Sequence, residues 1–214
     1  MYVKMSKNQN NNSMRDGMNA FERSLKRLFD IVCSFVGILF LSPLYLVIYI
    51  IMRIQGGGPV IFSQERIGYK GKPFLIFKYR TMYVNSENEG EPKLAQKDDN
   101  RLTPFGKFLR EHHLDELPQL WNVFVGDMSF VGPRPERKYF IDKIMEHDKN
   151  YEYIYKMRPG LTSEATVYNG YTDTMEKMLI RLKMDLNYWQ KRSLWMDIKI
   201  IFITVMSIIN GKKF

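Results

Sequence analysis

Residues 31–52, IVCSFVGILFLSPLYLVIYIIM, carry no formal charge, and the reading of this run decides the fold. A helix of that length would cross the hydrocarbon core of a bilayer, about 30 Å thick. Ser42 and Pro43 interrupt it near the middle. Proline inside a helix removes a backbone donor and clashes with the preceding turn, at a cost of about 3 kcal/mol unless the helix bends. The arm before the break would be about 16 Å long at about 1.5 Å per residue, roughly half the hydrocarbon thickness. A bend there returns the chain to the side it came from. Lys4, Lys7, Arg15, Arg23, Lys26 and Arg27 precede the run, and Arg53, Arg66, Lys70 and Lys72 follow it. By the positive-inside rule both ends look cytoplasmic. These features favour a re-entrant helix-break-helix, with Ser42 and Pro43 as the break in the membrane, over a kinked full span. A buried soluble core helix is disfavoured, because no other stretch is apolar enough to surround it.

Working outward, residues 1–19 are rich in Asn, Ser, Lys and Met without apolar periodicity and read as a disordered tail. Residues 21–30 are amphipathic, with Phe21, Leu25, Leu28 and Phe29 on one face and Arg23, Lys26 and Arg27 on the other, as at a membrane surface. The predicted division is therefore a tail over 1–19, a re-entrant anchor over 20–55, and a cytoplasmic globular domain over 56–214 that ends in an interfacial helix. The fold class expected is α+β, mostly helical. After the turn QGGGP at 55–59, residues 60–62 and 74–77 read as the strands of a small hairpin. The polar residues 83–100 read as a mobile loop, and 103–110 as a short helix. Helices are predicted over 136–155 and 174–187, with an irregular segment at 158–173. The two Trp and one Tyr within 188–195 suit an interface, and 197–209 makes an interfacial or packed helix too short to span.

The chain has 214 residues and a net charge of +9, which draws it toward anions without saying which. Its one cysteine, Cys33, excludes an internal disulfide, and His112, His113 and His147 lack a zinc-ligand spacing with it. Chemistry concentrates in residues 110–135, REHHLDELPQLWNVFVGDMSFVGPRP. The spacing of Leu117, Leu120, Trp121 and Phe124 predicts a short amphipathic helix, with Asp115 as its cap, Pro118 in the first turn and Gly126 as its stop. A helix start keeps Asp115 ionised and favours a bound phosphate. Arg110 lies just upstream, and Arg134 sits between Pro133 and Pro135. A paired Asp115 and Glu116 alone is most often only a cap with a solvated neighbour.

The surrounding motifs extend the case. LKRLFDI, the Ser42-Pro43 break, FSQERIG, FKYRTM, RLTPFGKFLR, LDELPQLWNVFVGDMSFVGPRPE, RPGLT and SLWMDIKI together resemble the bacterial sugar transferase family, the monotopic phosphoglycosyl transferases, from about residue 21 to 209. The resemblance is to the minimal form, without the multi-span N-terminal region of longer relatives. It implies transfer of a phosphosugar from a nucleotide diphosphate sugar, usually a UDP-sugar, to a polyprenyl phosphate such as undecaprenyl phosphate. Asp115 would be the nucleophile and a ligand of Mg²⁺, and Glu116 would position the metal or handle a proton. Lys78, Arg80, Arg110, Arg134 and Arg158 would bind substrate. The implied place is the inner face of the bacterial cytoplasmic membrane, with the lipid bilayer as partner and no nucleic acid. Two departures stand out. His112 and His113 replace small or polar residues, and residues 160–171, GLTSEATVYNGY, replace the usual Gly, Ala and Gln run, adding Glu164 where the donor should lie. The rival readings are a basic membrane-associated adaptor without catalysis, a nucleic-acid binder, which the apolar run argues against, and a membrane phosphohydrolase.

Overall fold

The computed structural model describes residues 14–84, 99–170, 172 and 174–210. It opens with two helices, α1 (Ala20–Phe40) and α2 (Ser42–Gln55), which meet at Leu41 with a bend of 58°. Asn19 and Glu22 start α1 as a reciprocal capping box. Pro43 lies in the first turn of α2, where a missing N–H costs little, and the Ser42 hydroxyl donates to the Leu39 carbonyl at 2.8 Å. The break is thus a helix end followed by a helix start. Among the described residues no single helix is long and apolar enough to cross a membrane, whereas the bent pair together would be, by length and composition.

An antiparallel hairpin follows, β1 (Ile61–Ile67) with β2 (Pro73–Tyr79), in a register from Ile61 opposite Tyr79 to Ile67 opposite Pro73. Its strands run longer than predicted, and its tight turn takes positive φ at Lys70 and Gly71. Next come α3 (Pro104–Glu111), capped by Thr103, a single 3₁₀ turn at Leu114–Glu116, and α4 (Gln119–Val125), stopped by Gly126 in the left-handed region. Then follow β3 (Ser129–Val131), α5 (Lys138–His147), a 3₁₀ stretch at Lys149–Lys156, β4 (Gly160–Thr162), α6 (Glu164–Asn169), α7 (Met175–Lys191) and α8 (Leu194–Ile209).

Two departures from the predicted elements have local causes. Asp148 is extended and caps the 3₁₀ stretch by accepting from the Asn150 amide, which divides the helix expected over 136–155. The segment expected to be irregular contains β4, which pairs in parallel with β3 (Ser129 opposite Gly160, Val131 opposite Thr162), and then α6. The two backbones approach closely there: a Cβ on Gly132 would sit 2.3 Å from the Arg158 carbonyl oxygen.

The main core joins Val131, α5, the 3₁₀ stretch, α7 and Ile200 of α8. Tyr188 and Trp189 are buried in it, which corrects the interface expected over 188–195; only Trp195 of the three aromatics there is exposed, at 75%. A second cluster, Ile48, Met52, Val60, Tyr79 and Leu109, seats α2 on the hairpin and α3. The basic face of α1 turns inward rather than toward lipid head groups. Lys26 Nζ donates to the Val131 carbonyl and pairs with Asp197 at 2.5 Å, and Arg27 donates to the carbonyls of Val123 and Phe124 at the C-terminal end of α4. Its apolar face stays uncovered, with Phe21, Leu28, Val32, Phe35, Val36, Leu39 and Phe40 all exposed. Of the expected tail, residues 1–13 lie outside the described residues. Residues 14–19 pack: Met18 is buried and Asp16 makes a two-bonded ion pair with Arg192, at 2.7 and 2.6 Å. The expected loop over 83–100 lies outside the described residues from 85 to 98.

Candidate active site

Asp115 occupies the 3₁₀ turn between α3 and α4 rather than the cap of α4. That cap position falls to Pro118, without a side-chain hydrogen bond, so the predicted capping role is corrected. The turn is entered through His113 in the left-handed region, φ 56°, a sparsely populated conformation for a residue with a side chain. This geometry swings the acidic pair inward, and Asp115 is only 7% exposed. No hydrogen bond holds its carboxylate among the described residues.

Charge accounts for the rest of the site. Burial, and secondarily the neighbouring Glu116 carboxylate, pushes the Asp115 carboxyl up to about 6, against the pull of Lys78, Arg110 and Arg134. Asp115 therefore remains mainly ionised at neutral pH, but it does so because of cations and not because of a helix start. Glu116 has the opposite balance. Burial would raise it, yet Lys78 and Arg134 together, with the Lys78 hydrogen bond, hold it down to about 2. Lys78, projecting from β2, donates to Glu116 Oε1 at 2.6 Å, and Arg134 Nη2 lies 3.9 Å from the same oxygen. Arg110, on the last turn of α3, keeps its buried Nη1 without a hydrogen-bond partner. A buried guanidinium nitrogen with an unused donor is costly unless an anion meets it.

The structure therefore brings together five of the seven predicted chemical residues: Asp115, Glu116, Lys78, Arg110 and Arg134. The other two stand apart from the acidic pair. Arg80 donates to the carbonyls of Gly56 and Gly57 and anchors the linker after α2. Arg158 donates to the Gly126 carbonyl at 2.9 Å and stacks 5.0 Å over the Tyr69 ring, tying the end of α4 to the hairpin turn. His112 stacks on Phe108 at 4.3 Å and is exposed, whereas His113 lies close enough to Glu116 to favour its ionised form. Ser42 and Pro43 form the bend described above. Among the described residues no three His, Cys, Asp or Glu side chains are placed to hold a metal ion. Sequence reasoning passed over Arg66, Glu136 and Arg181, a buried ionic chain beside Arg134. Arg66 and Glu136 lie within the motifs FSQERIG and GPRPE, but no local pattern joins them to Arg181.

A buried Asp115 and a partly buried Glu116 ringed by cations, next to a bent apolar helix pair, define a class of site suited to phosphoryl chemistry. The chain belongs to the bacterial sugar transferase family, whose model matches residues 21–211. It is 43% identical over 190 residues to the UDP-glucose:undecaprenyl-phosphate glucose-1-phosphate transferase of Klebsiella pneumoniae, covering 88% of this chain and 41% of that protein. It is 38% identical over 187 residues to the UDP-N-acetylgalactosamine-undecaprenyl-phosphate N-acetylgalactosaminephosphotransferase of Aeromonas hydrophila, covering 87% and 44%. A third relative, the UDP-glucose:undecaprenyl-phosphate glucose-1-phosphate transferase of Caulobacter vibrioides, is 40% identical over 187 residues, 86% of this chain and 70% of its own length. The chain thus spans less than half the length of the first two.

Proposed function

We propose that the protein transfers a phosphosugar from a nucleotide diphosphate sugar, a UDP-sugar, to a polyprenyl phosphate such as undecaprenyl phosphate, through a phosphosugar held on Asp115. The observation that carries this reading is the buried Asp115 carboxylate, without a hydrogen bond among the described residues and set beside Lys78, Arg110 and Arg134. A carboxylate needs no proton removed before it attacks, but it must approach a phosphate that is itself negative. The three cations lower that barrier, and each such group is typically worth about 10²-fold or more in rate. In the first step an Asp115 oxygen bonds to the sugar-bearing phosphorus. The bond from that phosphorus to the bridging oxygen breaks, and UMP leaves with the electron pair. In the second step a phosphate oxygen of the polyprenyl phosphate attacks the same phosphorus, and the carboxylate of Asp115 departs unchanged. Glu116, kept ionised by Lys78, holds that lysine and Arg134 near the reacting phosphate.

Mg²⁺ fits this donor set. Its usual sites take one or two carboxylates together with substrate phosphate oxygens rather than a full protein cage, so Asp115 and the donor diphosphate would hold it. Bound there it would neutralise phosphate charge.

The uncovered apolar residues of α1, with Phe202 and Ile209 of α8, support seating in the head-group region of the cytoplasmic leaflet of a bacterial inner membrane, with α1 and α2 re-entering the side they left. That position gives Asp115 access to a soluble donor and a lipid acceptor. Detergent-purified protein incubated with Mg²⁺, a panel of UDP-sugars and undecaprenyl phosphate tests the reading. UMP release and a lipid-linked sugar diphosphate are expected. Free sugar phosphate without lipid product would indicate hydrolysis instead, and no turnover of any donor would overturn the proposal.

A further inference from the structure

Arg134 reaches the acidic pair from the short segment 133–136, and that segment is fixed by contacts unrelated to substrate. The Gly160 amide donates to the Pro133 carbonyl at 2.9 Å, and the Ile67 amide donates to the Glu136 carbonyl at 3.1 Å. Arg66 Nη1 donates to the Pro135 carbonyl at 3.2 Å and lies 3.7 Å from Glu136 Oε2. On the other side Arg181 Nη1, from α7, donates to Glu136 Oε1 at 2.8 Å. Glu136 is only 9% exposed, so its carboxylate bridges two largely buried guanidinium groups on elements far apart in sequence. Asp185 lies one helical turn beyond Arg181 on α7 and is also buried.

A bridge of this kind is a poor way to gain stability, because removing three charges from water costs about as much as their attraction returns. It does fix geometry. The bridging carboxylate sits two residues from Arg134, with a rigid proline between. Arg134, Glu136, Arg181 and Asp185 line one small cleft together.

We propose that Glu136 is a positioning residue for the transfer reaction: by tying Arg66 of β1 to Arg181 of α7, it sets where the Arg134 guanidinium meets the donor phosphates. This rests on the function proposed above, in which Arg134 stabilises charge on those phosphates. A small misplacement of such a group costs about 10- to 100-fold.

The test is a double-mutant cycle on full-length protein, read as kcat/KM for the donor at 20 °C, with unfolding temperatures measured in parallel. Glu136→Gln is expected to lower kcat/KM about 10- to 100-fold in the parent. In an Arg134→Ala background it should lower it less than about threefold, because the group it positions is gone. A merely structural Glu136 would lower activity by the same factor in both backgrounds, and that result overturns the proposal. Should Glu136→Gln fail to fold, Arg181→Gln severs the other end of the bridge and carries the same comparison with the same two outcomes. An inactive parent would count against the proposed function itself, whereas an active parent with additive variants would count against the positioning role alone.

Discussion

Replacing Asp115 by Asn is expected to abolish transfer while making the folded protein more stable at neutral pH. The two effects share one cause. A carboxyl held at about 6 instead of the ordinary 3.8 brings on the order of 3 kcal/mol of unfavourable desolvation and like-charge repulsion into the folded state once ionised. The amide removes that cost, but its own burial without a partner takes back on the order of 1 kcal/mol. The net gain is then about 2 kcal/mol, or roughly 4–8 °C in unfolding temperature for a chain of this size. The sign with pH follows from a folded value raised above the unfolded one. The penalty is absent below about pH 4, where Asp115 is protonated in both states, grows between about 4 and 6, and is constant above. Thermal unfolding of both proteins in the same detergent, at pH 4 and pH 7.5, reads it directly. The Asp115→Asn protein should lead at pH 7.5 and lose that lead at pH 4, where only the cost of its buried amide remains. A variant less stable than its parent at pH 7.5, or a lead independent of pH, would refute the argument that burial and Glu116 strain this carboxylate.

The same carboxylate sets the pH dependence of the reaction: kcat/KM for the donor should climb about tenfold per pH unit below about 6 and flatten above it, since only the ionised form attacks. A profile already flat at pH 5 would assign the nucleophile elsewhere. Lys78→Met removes the 2.6 Å partner that keeps Glu116 ionised and should cost about 10²-fold or more in kcat/KM, with a lower unfolding temperature at neutral pH because the Glu116 carboxylate loses that partner; a loss of activity below about threefold would remove Lys78 from the site. Burial pushes Asp185 up to about 7, so Asp185→Asn should stabilise the fold by on the order of 3 kcal/mol above pH 7, with the gain fading toward pH 4. Equal stabilities of variant and parent at pH 8 would argue against that strain.

Much of this arrangement was legible in the chain. The Ser42-Pro43 pair gave the bend, because a proline that cannot continue one helix starts the next without cost. Gly126 marked the end of α4 through local chemistry, and the helices that begin after Thr103 and Thr174 were legible from their patterns. Asp115 and Glu116 were legible as a pair with Arg110 and Arg134, since those lie within one stretch. What escaped was set by contacts between distant segments. β3 and β4 have three residues each, too short for any periodicity, and exist because Gly132 and Gly160 permit close approach. The inward turn of Lys26 and Arg27 onto Asp197 and the end of α4 cannot be read from an amphipathic pattern, which shows that two faces differ but not which one meets protein. The bridge through Glu136 joins residues 66, 136 and 181, and no local rule connects them.

The central claim is a covalent one, and it is tested most directly by withholding the lipid acceptor. Protein mixed with Mg²⁺ and a UDP-sugar it turns over, quenched in acid and digested, should yield by mass spectrometry one peptide heavier by a phosphosugar, with the added mass on Asp115. The same adduct should vanish when undecaprenyl phosphate is supplied before the quench. An adduct on any other side chain, or UMP release only when donor and lipid are both present, would contradict the account.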